Sequence, residues 1–191
     1  MNRHFFDDRD PEPKETCHEV ELIKKYLYRV EDRLKLFLDL HAHSRQKSIF
    51  AYAPKPLNPD LPSFARNEAF SKLLAKMSPI FSLENCDFNT EASKRNCARL
   101  GIFNNHNLID SYTIECSCWG FTFQDQIIQF TVEHLLTFGK SLVLAVAQHL
   151  EMLEREPEDP DSGFDVILED GLAEVHKKKT FAATPAMFDR E

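Results

Sequence analysis

The feature that most constrains this chain is a short, largely apolar run, Leu34-Lys35-Leu36-Phe37-Leu38, closed by Asp39-Leu40-His41-Ala42-His43-Ser44. It follows almost directly on Val20, Ile23, Leu27, Val30 and Leu34, whose three- and four-residue spacing predicts an amphipathic helix packed on a sheet. Thr16-Cys17-His18-Glu19 has the form of a capping box at the start of that helix. A helix running into a buried strand, then into a polar segment with special residues, is the pattern of an α/β protein. In open α/β sheets, ligands gather outside the carboxyl ends of the strands.

Strand alternation puts Asp39, His41 and His43 on one face. A neutral imidazole there is a ready zinc ligand, and a carboxylate two residues away can orient it. The same short pattern also describes a solvated histidine pair at a strand end, and spacing alone does not choose between the two. A second candidate is Glu115, near the end of the β-prone, alternating stretch Asp110 to Cys118. Burial would raise its pKa toward the range of a general base, whereas a solvent-facing strand end would leave it an ordinary carboxylate. His18 and Glu21 form a literal His-x-x-Glu, but about one such match is expected by chance at this composition. The apolar stripe of their helix explains the segment without them, so they are not read as ligands. His149 falls on the apolar side of a helix and reads as a core or edge residue.

Bulk properties remove several classes of function. With 191 residues and 42% hydrophobic content, 16 of them Phe, the chain can build one packed domain or part of a larger one. It has 5 Gly and neither GxGxxG nor GxxxxGK[ST], which argues against a nucleotide enzyme. A net charge of -8 disfavours nucleic acid and anionic membrane surfaces, and an acidic substrate would need a local basic pocket. No apolar stretch approaches the ~20 residues of a membrane span, and the first residues carry no apolar signal segment. The five cysteines are odd in number and lack CxxC pairs, so they read as free thiols of a reducing compartment, cytosol or nucleus. Cys116 and Cys118 read as core cysteines rather than a metal clip.

Further along, Pro54, Pro56, Pro59 and Pro62 predict a surface connection, and Phe64 to Met77 a helix with Phe70, Leu73, Leu74 and Met77 inward. The region from Ser78 reads as irregular. Thr131 to Arg155 predicts the longest helix, its stripe being Leu135, Phe138, Leu142, Ala145, Val146 and His149/Leu150. Residues 156–191, acidic and then basic, read as a flexible tail, and residues 1–15 as an extended lead-in.

Several ordered motifs together resemble the cytosolic carboxypeptidases, zinc metallocarboxypeptidases that trim glutamates from tubulin tails. They are Asp39-Leu40-His41-Ala42-His43-Ser44-Arg45 with Ile49-Phe50, Phe70-Ser71-Lys72-Leu73-Leu74, Ser78-Pro79-Ile80-Phe81-Ser82, Cys86-Asp87-Phe88, Ala98-Arg99, Ile109 to Glu115 and Phe130 to His134. Met1-Asn2-Arg3-His4-Phe5 is similar to the family's Leu-Asn-Arg-x-Trp. The resemblance implies a partial α/β/α carboxypeptidase-like fold, with a mixed, mostly parallel sheet flanked by helices. It covers residues 1–155 as the C-terminal part of a catalytic domain. It further implies Zn2+ bound in part by His41, Glu115 as general base, and Asn2 and Arg3 gripping the substrate's terminal carboxylate. Arg99 falls at the specificity pocket, with His43 and Asp39 in support. The implied partners are acidic, tubulin-like C-terminal tails, in the cytoplasm, without nucleic acid or membrane. The family's His-Pro-Gly-Glu, which supplies its first two zinc ligands, is not found in this sequence, and its glycine between the two histidines is Ala42. The resemblance therefore implies either a truncated enzyme or a degenerate, non-catalytic carboxypeptidase-like binding protein. A zinc deacylase on a similar scaffold is a weaker alternative.

Overall fold

A computed structural model describes residues 4–5, 17–55, 62–88 and 96–154. The expected lead-in, including Asn2, Arg3 and Thr16, and the expected tail at 156–191 lie outside the described residues. Three strands form the central sheet: β1 (Phe37–His43), β2 (Ile49–Tyr52) and β3 (Ser111–Ser117), in the order β1-β3-β2. β1 runs parallel to β3 and β2 antiparallel to it, so the sheet is mixed, with one pairing of each kind.

Alternation along these strands sorts the two faces. Leu36, Leu38, Ile49, Ala51, Ala53, Tyr112 and Ile114 share one core with α2 (Pro62–Met77) and α4 (Val132–Glu154) through Phe70, Leu73, Leu74, Phe138, Ala145 and Met152. On the other face Phe37 joins Val20 and Leu27 of α1 (His18–Arg29), Ala98 and Ile102 of α3 (Ala98–His106), and Phe5. The sheet is thus sandwiched between helices, as an α/β/α arrangement requires. A two-residue hairpin, β4 (Phe121–Phe123) to β5 (Gln126–Ile128), completes the described elements.

Several local expectations change. α1 ends at Arg29 rather than continuing to Leu34: a single tighter turn, Glu31–Arg33, follows, and the backbone is extended at Leu34. The helix is preceded by Cys17, whose side chain makes no capping hydrogen bond, and Thr16 of the expected capping box lies outside the described residues. In α4 the inward stripe is Phe138, Ala145, His149 and Met152, with Leu142 and Val146 partly buried against the same core, while Leu135 is exposed. The stretch expected to be irregular contains α3, and β2 is a strand that hydrophobic patterning did not single out. All five cysteines are free, and Cys118 is exposed rather than in the core.

A buried polar cluster joins the back of β3 to α4. His149, fully buried, lies with Nε2 2.9 Å from Asp110 Oδ1, and the Tyr112 hydroxyl donates to the same oxygen at 3.2 Å. Buried polar groups persist where partnered, and this cluster fixes the start of the strand that carries Glu115.

Candidate active site

Parallel register brings the two sequence candidates side by side, with His41 directly opposite Glu115 on β1 and β3. Asp39 faces Thr113 in the same ladder, and on the other flank Phe50 is opposite Glu115 and Tyr52 opposite Thr113. Paired residues share a face, so Asp39, His41, His43, Thr113, Glu115, Phe50 and Tyr52 all point to one side. Arg99, the second residue of α3, reaches this face from the helix layer. A cleft of about 520 Å³ opens here, lined by His41, His43, Tyr52, Arg99, Thr113 and Glu115, with Ser44–Gln46 and Cys97 at its border.

Asp39 Oδ1 lies 2.8 Å from His41 Nε2, which leaves Nδ1 as the nitrogen turned to the cleft, 3.8 Å from Glu115 Oε1. His43 Nδ1 is 3.7 Å from the other Glu115 oxygen. Glu115 is buried, and its Oε2 has no hydrogen-bond partner among the described residues. Desolvation is the largest influence on this carboxyl and pushes its pKa above the ordinary range, against weaker opposing pulls from His41, His43 and Arg99. A partly desolvated carboxylate lining a cleft can take a proton from a water molecule there.

The loop after β1 is stitched down by its neighbours. Cys118 N–H donates to His43 O at 2.8 Å, Ser48 N–H to Gly120 O at 2.7 Å, and the Trp119 indole N–H to Ser44 O at 2.6 Å. Gly120 has φ +103°, and a Cβ there would lie 2.0 Å from Ile128 O, so only glycine fits the turn.

The described residues do not complete a metal centre. Among them, no group of three or more His, Cys, Asp or Glu side chains is placed to hold a metal ion. Two imidazole nitrogens face Glu115, His41 Nδ1 at 3.8 Å and His43 Nδ1 at 3.7 Å. His18 and Glu21 sit in the first turns of α1, His18 exposed, and form no such group. Asn2 and Arg3 lie outside the described residues. The cleft does gather His41, His43, Arg99 and Glu115, with Asp39 behind His41. Patterning missed Tyr52 and Thr113; the alternation Phe50, Tyr52 within a buried run was the signal available for the former.

No protein-family model matches the sequence. Among curated proteins it is 31% identical to cytosolic carboxypeptidase 1 of Danio rerio over 121 residues, 54% of this chain and 10% of that protein. It is 29% identical to cytosolic carboxypeptidase 6 of Mus musculus over 147 residues, 74% of this chain and 26% of that protein. Among solved structures, a metallo-carboxypeptidase of Burkholderia cenocepacia superposes with a TM-score of 0.62 at 16% identity, covering 80% of this chain and 38% of that one. A metallo-carboxypeptidase of Pseudomonas aeruginosa gives 0.61 at 18% identity, covering 80% and 40%. The chain therefore spans a tenth to about a quarter of these curated relatives. The sequence is thus similar to cytosolic carboxypeptidases, and the fold is similar to part of the metallo-carboxypeptidase fold.

Proposed function

We propose that this chain supplies part of the active site of a zinc metallocarboxypeptidase that releases C-terminal amino acids, glutamate from acidic tubulin-like tails, in the cytoplasm. The observation that carries the reading is the pairing of His41 with Glu115 across adjacent parallel strands, at the edge of a cleft that also holds Arg99. In this reading Glu115 accepts a proton from the attacking water and returns it to the leaving amine. His41, oriented by Asp39, is one zinc ligand through Nδ1, the others lying beyond the described residues. His43 steadies the Glu115 carboxylate. Asn2 and Arg3 hold the terminal carboxylate, and Arg99 meets the acidic side chain, the local positive charge that a chain of net charge -8 needs to hold an acidic substrate. Residues 1–155 form the catalytic part and 156–191 a separate tail.

A second reading, a carboxypeptidase-like binding protein without catalysis, is favoured by the donor set, since no three-ligand group for a catalytic zinc is placed among the described residues. The test is to incubate the protein with zinc and a peptide ending in glutamates, and to follow free glutamate by mass spectrometry. Release that falls at least about a hundredfold in Glu115→Gln, with the fold retained, is expected of the enzyme. Undiminished release in that variant overturns the role of Glu115. No release from the wild type, together with retained peptide binding, selects the binding protein.

A further inference from the structure

We propose that Tyr52 is a positioning residue for Arg99: its ring holds the guanidinium by one face, leaving the donor edge open for a side-chain carboxylate. The inference rests on reading the cleft as a site for acidic C-termini, and it adds a residue on β2 to the determinants of that preference.

Arg99 is 4% exposed, an expensive place for a permanent charge. Among the described residues three supports hold it, none of them anionic. Its backbone carbonyl accepts from Ser111 Oγ at 2.9 Å, its Nη1 donates to Thr113 Oγ1 at 3.4 Å, and its guanidinium carbon lies 5.2 Å from the centre of the Tyr52 ring. Tyr52 and Thr113 are register partners across the sheet, so ring and hydroxyl converge on one point by backbone pairing. Arg99 Nε has no hydrogen-bond partner among the described residues. Glu115 acts on Arg99 only as a nearby charge.

The choice of an aromatic support has a chemical consequence. A carboxylate partner would occupy the fork of the guanidinium and cancel its charge. A ring instead attracts the cation through its face and consumes no donor. The Tyr52 ring is itself fixed, edge-on to Phe50 at 5.4 Å and 78° and to His43 at 6.4 Å and 68°, while His43 meets Phe50 at 5.0 Å and 83°. The row His43–Phe50–Tyr52 thus links the residue beside Glu115 to the residue beneath Arg99. A ligand that brings a carboxylate to this cleft meets a desolvated, pre-aimed fork; the matching amide meets the same fork without the charge.

The experiment measures, by calorimetry, the affinities of N-acetyl-glutamyl-glutamate and N-acetyl-glutamyl-glutamine for the wild type, Tyr52→Phe, Tyr52→Leu and Arg99→Lys. Thermal unfolding is followed in parallel. The preference for the acid over the amide is expected to survive in Tyr52→Phe and to fall about five- to tenfold in Tyr52→Leu. It should also fall in Arg99→Lys. A folded Tyr52→Leu that keeps the wild-type preference, while Arg99→Lys loses it, overturns the role of Tyr52 and leaves the acidic reading of the cleft standing. A wild type without preference overturns that reading, and the inference with it. Stepwise fluorination of the ring at position 52 provides an independent measurement that preserves its shape. A preference that declines with each fluorine supports the inference, and a flat series overturns it.

Discussion

Single residues in this protein are set by what a neighbouring backbone or solvent boundary permits. Gly101 in α3 is one case: a Cβ there would lie 2.5 Å from the backbone oxygen of Phe5 and 2.6 Å from its Cβ. Phe5 is anchored by its N–H to Asn96 O at 3.1 Å, so it cannot simply withdraw. Gly101→Ala should cost about 1–3 kcal/mol in denaturant unfolding, despite alanine's better helix propensity. Cys86 and Cys118 differ for a related reason. Burial pushes the Cys86 thiol up to about 11, and its sulfur accepts from Ala51 N–H at 3.3 Å and donates to Ser82 O at 3.4 Å. Cys118 is exposed. Alkylation at pH 8 followed by peptide mapping should label Cys118 first, with Cys86 reacting appreciably only as the pH approaches 11. At this scale the sequence is informative where alternation acts. Asp39, His41, His43 and Glu115 are assigned to a face by strand period alone. Arg99 is reached only through the family resemblance, because a helical arginine carries no periodic mark of where it ends. Tyr52 and Thr113 are invisible as a pair, since their proximity comes from a cross-strand register that no local pattern encodes.

Elements follow the same division between local and tertiary causes. The β4–β5 hairpin turns on Gln124 and Asp125, at φ +49° and +62°, a conformation usually reserved for Asn-Gly. Asp125→Gly should therefore stabilise the protein by about 0.5 kcal/mol, the relief of the left-handed residue being partly offset by a more flexible unfolded chain. A rise in the thermal midpoint would show it. The lack of glycine at this turn is also why the hairpin does not show in the sequence. α1, α2, α4, β1 and β3 are legible because each buries one face and exposes the other, or alternates cleanly. α3 buries an unbroken run, Ala98 to Ile102, so it has no stripe to find. β2 is four residues long with three in a row buried, too short to distinguish from a loop that happens to be apolar. The shortening of α1 has a tertiary cause as well: Leu34 joins the core of Val20 and Leu27 from an extended segment, and a helix continued to that point would leave no chain to enter β1 at Phe37.

The whole molecule shows an uncovered flank. Among the described residues β1 is an edge strand, and Leu40 in it is 63% exposed on the side of α4. A hollow of about 510 Å³ lies beside it, lined by Leu36, Leu38, Val146, Leu150 and Leu153, with Arg33 and Lys35 at its rim. Leu136 and Val143 of α4 are exposed as well. An apolar edge of this kind promotes self-association unless charge blunts it. The wild type is expected to show a sedimentation coefficient that grows with concentration and Leu40→Lys to reduce that growth; an unchanged profile would clear the edge of blame. The cleft with His41 and Glu115 lies on the opposite side of β1 and is not disturbed by this change.

The placement of His41 opposite Glu115 has one more consequence. Their spacing is inherited from the ~4.8 Å between hydrogen-bonded strands, a dimension of the peptide group itself rather than of any side-chain packing. Substitutions in the cores above and below the sheet can erode stability while leaving that spacing intact. The chemistry of the cleft is thereby insulated from drift in the scaffold, and descendants of this chain can exchange most of their interior before the two groups fall out of reach.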